Sequence, residues 1–254
     1  MSAATIDINV DAGESYGAWT MGDDAALFAE VSSANLACGF HAGDPGTIRR
    51  SLDAALAAGV AIGAHPGLAD LPGFGRRGMA LSPQEVRDDT LYQVGALAAF
   101  VHAAGTTLHH VKPHGALNTA VADSSDAHAE AIVAAVVEFD PTVPLVAVAG
   151  SRLHRACLRL GHPVIAEGFP DRAYASDGSL VRRGTPGALI HDPDLAAERA
   201  VRMALHGTAD TIDGDEIRVE VGTLCIHGDN PGSVATARAV RAALLRAGVA
   251  IVAF

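Results

Sequence analysis

The side chains able to do chemistry are densest in the stretch His109-His110-Val111-Lys112-Pro113-His114-Gly115. Lys112 is the only lysine in the chain, and the seventeen other basic residues are arginines. A lysine kept against that bias offers what arginine lacks: a compact ammonium with three rotatable donors and a pKa that burial can move. Further acid–base groups stand at the ends of short β-like runs. Ile6-Asp7-Ile8-Asn9 leads into Asp11-Ala12-Gly13-Glu14, Ala34–Phe40 ends at His41, and Ala61–Ala64 ends at His65. Later runs end at Glu167, with Asp171 and Arg172 behind it, and at His227-Gly228-Asp229. Asp7, Asn9 and Asp11 alternate, so a period of two aims them to one side of a strand and Ile6 and Ile8 to the other. Inward carboxylates are costly unless paired or used. One raised carboxyl pKa among them would make a general base, whereas Asp7 could equally serve a structural hydrogen-bond network.

A metal site is the alternative use of the same groups. His41, His65, His114 and His227 with Asp11 could supply a His/carboxylate ligand set. Against it, His110 and His114 straddle Pro113 instead of sharing a helix face, and a charged Lys112 would repel a cation. The balance favours a site without a resident divalent metal. Other chemistries are excluded by motif. Gly73-Phe74-Gly75-Arg76-Arg77-Gly78 matches G-x-G-x-x-G in letters, but Leu71-Pro72 precedes it where a strand is required, and the next helix waits until Pro83. It reads better as an arginine-bearing loop over the site, with Arg76 and Arg77 able to bind carboxylate or phosphate. The only lysine is followed by proline, so no Walker A loop exists, and G-x-S-x-G is absent.

The elements that must position these groups alternate. Helices are expected near 45–58, 83–104, 124–138, 151–160, 193–206 and 231–247. Strands are expected near 6–10, 33–38, 60–64, 107–112, 144–149, 163–167, 217–226 and 249–253. Ser82-Pro83-Gln84-Glu85 is a capping box with proline in the first helical position, and Asp44-Pro45, Asp192-Pro193 and Asp229-Asn230-Pro231 are further helix starts. Gly59, Gly105, Gly161 and Gly248 each stand between a helix and a strand, the position of a left-handed cap. Asp177-Gly178 and Asp213-Gly214 suggest hairpin turns late in the chain. Alternation of this kind argues for a parallel β/α architecture, in which strand-end polar groups converge on one face. No linker interrupts it, so residues 1–254 read as one domain.

Composition bounds the partners. Of 254 residues, 49% are hydrophobic, enough for a large core, and the formal charge of −11 speaks against a duplex nucleic acid or an anionic membrane. The three cysteines, Cys38, Cys157 and Cys225, have no metal-ligand spacing and suit a reducing compartment. With no basic leader and no membrane-length apolar run, a soluble cytoplasmic protein is expected.

Asp7-Ile-Asn-Val-Asp-Ala-Gly-Glu14, Ser33-Ala-Asn-Leu-Ala-Cys-Gly-Phe-His-Ala-Gly-Asp44, Ile62-Gly-Ala-His-Pro-Gly67, Gly73-Phe-Gly-Arg-Arg77, His110-Val-Lys-Pro-His-Gly-Ala-Leu117, Asp171-Arg-Ala-Tyr174 and His227-Gly-Asp-Asn-Pro-Gly232 together resemble the motif set of the LamB/YcsF family. The resemblance spans roughly residues 6 to 253, in order. Three positions depart from it: Val10 stands where a cysteine is common, Asn118 alone follows Leu117 where Tyr-Asn is usual, and Gly222 replaces a frequent acidic residue. The resemblance implies an irregular seven-stranded β/α barrel, a TIM-barrel variant like those of glycoside hydrolases and deacetylases. It further implies the A subunit of a 5-oxoprolinase, which opens the lactam of 5-oxo-L-proline to L-glutamate. ATP, carried with magnesium, would be the co-substrate, and partner subunits B and C would phosphorylate the lactam. On that footing Asp11 is the expected general base, with Asn9 orienting water and Lys112 and His114 stabilising developing charge. His41 and His65 would move protons or hold phosphate. Arg76 or Arg172 would grip the substrate carboxylate, with Glu167, His227 and Asp229 completing the binding groups. The competing expectation is a self-contained metal-dependent deacetylase or amidohydrolase.

Overall fold

The computed structural model describes residues 4–229 and 232–254. Asn230 and Pro231, where the last helix was expected to begin, lie outside the described residues. The first half of the chain runs β1 (Thr5–Ala12), α1 (Asp24–Phe28), β2 (Ser33–Ala37), α2 (Pro45–Ala57), β3 (Ala61–His65), α3 (Pro83–Ala103) and β4 (His110–Val111). It continues as α4 (Asp126–Phe139), β5 (Leu145–Val148), α5 (Arg152–Leu160), β6 (Val164–Gly168) and α6 (Pro193–His206). The last elements are β7 (Thr208–Asp210), β8 (Glu216–Arg218), β9 (Thr223–Ile226), α7 (Ser233–Arg246) and β10 (Ala250–Ile251).

Strands β1 to β6 pair in sequence order, all parallel, and β9 closes the ring by pairing with both β6 and β1. The result is a closed barrel of seven parallel strands, as the resemblance implied. β10 stays outside the ring and extends the start of β1, with Thr5 opposite Ala250. The apolar alternates of the strands, such as Ile8, Val10 and Leu36, join helix residues Leu52, Val94, Leu97, Ile132 and Leu244 in one buried core. The polar alternates fill the barrel. Asp7 accepts from the hydroxyls of Ser32 and Ser33 at 2.6 and 2.7 Å and from that of Thr223, so it is the structural network foreseen as its alternative. β3 keeps a glycine where the His110 ring crosses it, because a Cβ on Gly63 would run into the imidazole.

Local signals were accurate. Ser82 and Glu85 form both halves of the capping box, and Asp44 and Asp192 cap their helices. Gly59, Gly105, Gly161 and Gly248 all have φ between 68° and 78°. The expected strand 217–226 is two elements: β8 forms an antiparallel hairpin with β7 across the Asp213-Gly214 turn, and β9 belongs to the barrel. The segment between them turns the chain inward, with the Gly222 N–H on the Ala166 carbonyl at 2.9 Å. Only His110 and Val111 of the expected 107–112 strand enter the ladder, and α1 and a π-helical turn over Leu117–Ala122 were not foreseen. No helix among the described residues is long and apolar enough to cross a membrane.

Asp44 gives a pH test of this framework. Its carboxylate accepts from the backbone of Gly17, Thr47 and Gly46, which pulls its pKa down to about 2. A depressed carboxyl contributes stability that is complete above its unfolded pKa and lost as pH falls through the folded one. Asp44→Ala should therefore cost about 0.5–2 kcal/mol at neutral pH, the usual loss of an N-cap. In urea titrations the gap to wild type should close between its ordinary value of 3.8 and about 2. A gap that persists unchanged at the acid end would contradict the assignment.

Candidate active site

The C-terminal ends of β1, β3, β4, β6 and β9 bring Asp11, His65, Lys112, Glu167 and His227 to one mouth of the barrel, where they line a cavity of about 640 Å³. At its floor lies Lys112, almost wholly buried. Its Nζ donates to Asp11 Oδ1 at 2.7 Å, to Asn9 Oδ1 at 3.0 Å and to Cys225 Sγ at 3.0 Å, and pairs with Glu167 Oε1 at 2.8 Å. Burial works against the ammonium, but Asp11, Cys225 and Glu167 outweigh it and push the pKa well above the ordinary lysine value. The lysine was expected to stabilise developing charge; here its Nζ meets two carboxylates, an amide oxygen and a thiol of the protein itself.

Asp11 is correspondingly defined. Burial would raise its pKa, yet His65 and Lys112 prevail and hold the carboxyl well below the usual range. Its Oδ1 also accepts from Asn35 Nδ2 at 2.9 Å, and its Oδ2 lies 3.4 Å from His65 Nε2. Asn9 donates to Glu167 and Thr223 while its oxygen accepts from Asn35 and Lys112. Asn9 thus braces the lysine pair from within the barrel and does not line the cavity. Glu167 is fully buried, and burial raises its pKa against the pull of Lys112.

A second cluster adjoins the first. His65 Nδ1 donates to the Lys112 carbonyl at 2.6 Å, and His114 Nε2 donates to the Phe74 carbonyl at 2.8 Å. His114 stacks on His41 with ring centroids 3.8 Å apart. Burial holds both His41 and His114 well below the ordinary histidine pKa. Glu14, three residues beyond Asp11, lies 3.4 Å from each of these rings, and burial followed by the Asp11 charge pushes its pKa well up. Phe74 closes this cluster from above. It is the one described non-glycine residue with positive φ, 54°, a strained conformation of the kind that gathers at functional sites.

The rim is cationic. His227 Nδ1 bonds Asp171 at 2.8 Å, which leaves its Nε2 edge for the cavity. Arg76 pairs with Asp229 at 2.6 Å and lies over the Phe74 ring. Arg172, expected to grip substrate, lines the cavity and directs Nη2 to the Val181 carbonyl at 2.7 Å. Arg77 turns away to Asp70. Arg182 and Arg183 also line the cavity, and neither was anticipated. Glu14, Asn35 and Cys225 were likewise missed. Glu14 had a signal, since it shares the loop after β1 with Asp11; the other two had none, being ordinary strand residues.

The LamB/YcsF family model matches residues 6–254. The chain belongs to this family. The 5-oxoprolinase A subunit of a Thermus thermophilus strain is 54% identical over 249 residues, covering 98% of this chain and 99% of that one. Its counterpart from Heliobacterium modesticaldum is also 54% identical, with 97% and 96% covered. The crystal structure of a lactam utilization protein from Thermus thermophilus superposes with a TM-score of 0.93 at 53% identity, covering 98% of this chain and all of that one. A T48 deacetylase, at 14% identity and a TM-score of 0.50, shares the fold.

For this LamB/YcsF chain the lysine pairings set the stability of the site. Lys112→Met should destabilise by about 3–5 kcal/mol, because it leaves buried carboxylates without their cation. Adding Glu167→Gln should recover part of the loss in chemical denaturation, since the two residues are in contact. A silent Lys112→Met, or strictly additive effects, would contradict the pairing.

Proposed function

We propose that this chain is the A subunit of a 5-oxoprolinase and hydrolyses the lactam ring of 5-oxo-L-proline to L-glutamate. The supporting observation is the ionised Asp11, held by Lys112 at the floor of a polar cavity, in a chain whose relatives at about 50% identity over their full length are named as 5-oxoprolinase A subunits. An amide carbonyl is deadened by resonance, so ring opening is coupled to ATP, used with magnesium by partner subunits B and C. Those partners phosphorylate the lactam oxygen, and the activated ring is passed to this chain.

The geometry supports a division of roles. Arg183 and Arg182, with Arg76 beside them, receive the substrate carboxylate and the phosphoryl group at the rim. Asp11 directs a water at the former carbonyl carbon, and Lys112 and Asn35 hold its aim. Water adds, the carbon–nitrogen bond breaks to leave an acyl phosphate, and a second water displaces phosphate to give the carboxylate. His227, with its Nδ1 on Asp171, delivers the proton that the ring nitrogen needs to depart as an amine.

The test is 5-oxoproline turnover with ATP, using the full chain with and without the candidate B and C subunits. Glutamate should form only when the partners are present. ATP-independent glutamate release by the purified chain would overturn the subunit reading in favour of a self-contained amidohydrolase. In the reconstituted system Asp11→Asn, shown by circular dichroism to be folded, should lower turnover by roughly two to four powers of ten, the scale of a lost general base. Wild-type rates would remove Asp11 from the mechanism.

A further inference from the structure

The two cavity histidines present a hydrogen-bonding contradiction. A backbone carbonyl can only accept, so the Lys112 carbonyl fixes a proton on His65 Nδ1 and the Phe74 carbonyl fixes one on His114 Nε2. In neutral rings this leaves lone pairs on His65 Nε2 and His114 Nδ1, which face each other at 3.0 Å. Two lone pairs cannot satisfy each other. Glu14 Oε1 lies 3.4 Å from His114 Nδ1, is buried, and has no hydrogen-bond partner among the described residues. The same is true of both ring nitrogens of His41, which is wholly buried. Buried polar atoms are rarely left this way, and each such atom calls for an explanation.

We infer that Glu14, His65 and His114 form a binding site for one divalent transition-metal ion of the zinc type, open towards the cavity. Imidazole nitrogens with one carboxylate suit such an ion, and two histidines with a glutamate and an open position is a ligand set that catalytic zinc uses. The donor atoms of Glu14, His41, His65 and His114 all lie within 4.8 Å of one another. The 3.0 and 3.4 Å edges, from His114 Nδ1 to His65 Nε2 and to Glu14 Oε1, fit this use. Bonds of about 2.1 Å in a tetrahedron place ligand atoms about 3.4 Å apart. The carbonyls behind both histidines are the outer partners that metal-bound imidazoles ordinarily have, fixing tautomer and ring direction. His41 is outside the ligand set. Its ring lies parallel to His114 at 3.8 Å, so one ion cannot sit in both ring planes, and its Nε2 flanks the same Glu14 oxygen.

Lys112 does not oppose this ion. It contacts Asp11 Oδ1, whereas Asp11 Oδ2 faces His65, so the carboxylate stands between the ammonium and the site. Asp11, paired with Lys112 at 2.7 Å, offsets the charge of the ammonium that the ion would face. Asp11 Oδ2, 3.4 Å from His65 Nε2, stands beside the site, where a water or a substrate oxygen would be polarised. The site goes beyond the lactam reading and does not depend on it.

The full chain, stripped by chelator and dialysed against zinc or cobalt(II) chloride, should take up one ion per chain. The cobalt form should show the intense visible bands of a four-coordinate site. His114→Gln and Glu14→Gln, checked for folding by circular dichroism, should weaken zinc binding by at least about 100-fold, more than the loss of an outer partner. X-ray absorption of the zinc-loaded wild type keeps the test open should either variant fail to fold. Two imidazoles with oxygen and no sulfur would support the site. A sulfur ligand would move the ion to Asp11, Cys225 and His227, the other such donor group among the described residues, and overturn the inference. Failure to retain an ion, or binding undiminished in the variants, would also overturn it.

Discussion

The Lys112 ammonium ties together four strands of a ring of seven, because Asn9 and Asp11 belong to β1, the lysine follows β4, Glu167 lies in β6 and Cys225 in β9. Most barrels of this kind fill their interior with branched apolar side chains. Here the interior is polar, and Asn9, Asp11, Glu167 and Cys225 are all oriented by that one cation. Removing the charge would not merely open a gap. It would leave carboxylates desolvated and unpaired, which is why a side chain with three donors on a compact head is required where arginine serves elsewhere.

The sequence exposed the site through features that are local. A strand end can be recognised from a few residues, and so can the polar group that follows it; Asp11, His41, His65, Lys112, His114, Glu167 and His227 all carried that signature and all converge. Helix limits were legible for the same reason, since caps such as Ser82 with Glu85 and glycines such as Gly161 act within a turn. Partnership was not legible. Asn9 meets Glu167 and Thr223 from more than 150 residues away, and nothing in the alternation of β1 names those partners. Arg172 and Arg183 are an instructive pair. Both are arginines of one loop system and both line the cavity, but only the fold shows that the first is also tied to the backbone carbonyls of Val181 and Ala188. β8 and β9 failed for a related reason, since a continuous β-like run does not reveal that its halves serve different sheets.

Strain and access are concentrated on one loop. Phe74 holds a left-handed backbone so that its carbonyl meets His114 while its ring covers His41 and His114 edge-on. Gly75 follows because a Cβ there would press on His41 and His114. Arg76 then returns to the mouth and pairs with Asp229. The G-x-G-x-x-G letters therefore have a steric cause in this chain. Gly75 lets the backbone approach stacked imidazoles, and Gly73 lets it approach the Asp70–Arg77 pair, where in a dinucleotide site such glycines would let it approach phosphates.

Two carboxylates three residues apart, Asp11 and Glu14, show how this arrangement divides labour. Both are deeply buried, and burial alone would keep either protonated. Lys112 and His65 reverse that for Asp11 and hold it ionised, whereas Glu14 faces imidazoles whose own burial keeps them neutral, and it takes an added push from the Asp11 charge. Environments that drive paired groups in opposite directions are how a fold assigns acid and base roles. The difference between them is the positive charge that each one faces. Lys112 supplies it to Asp11, and only a positive charge among Glu14, His65 and His114 would do the same for Glu14.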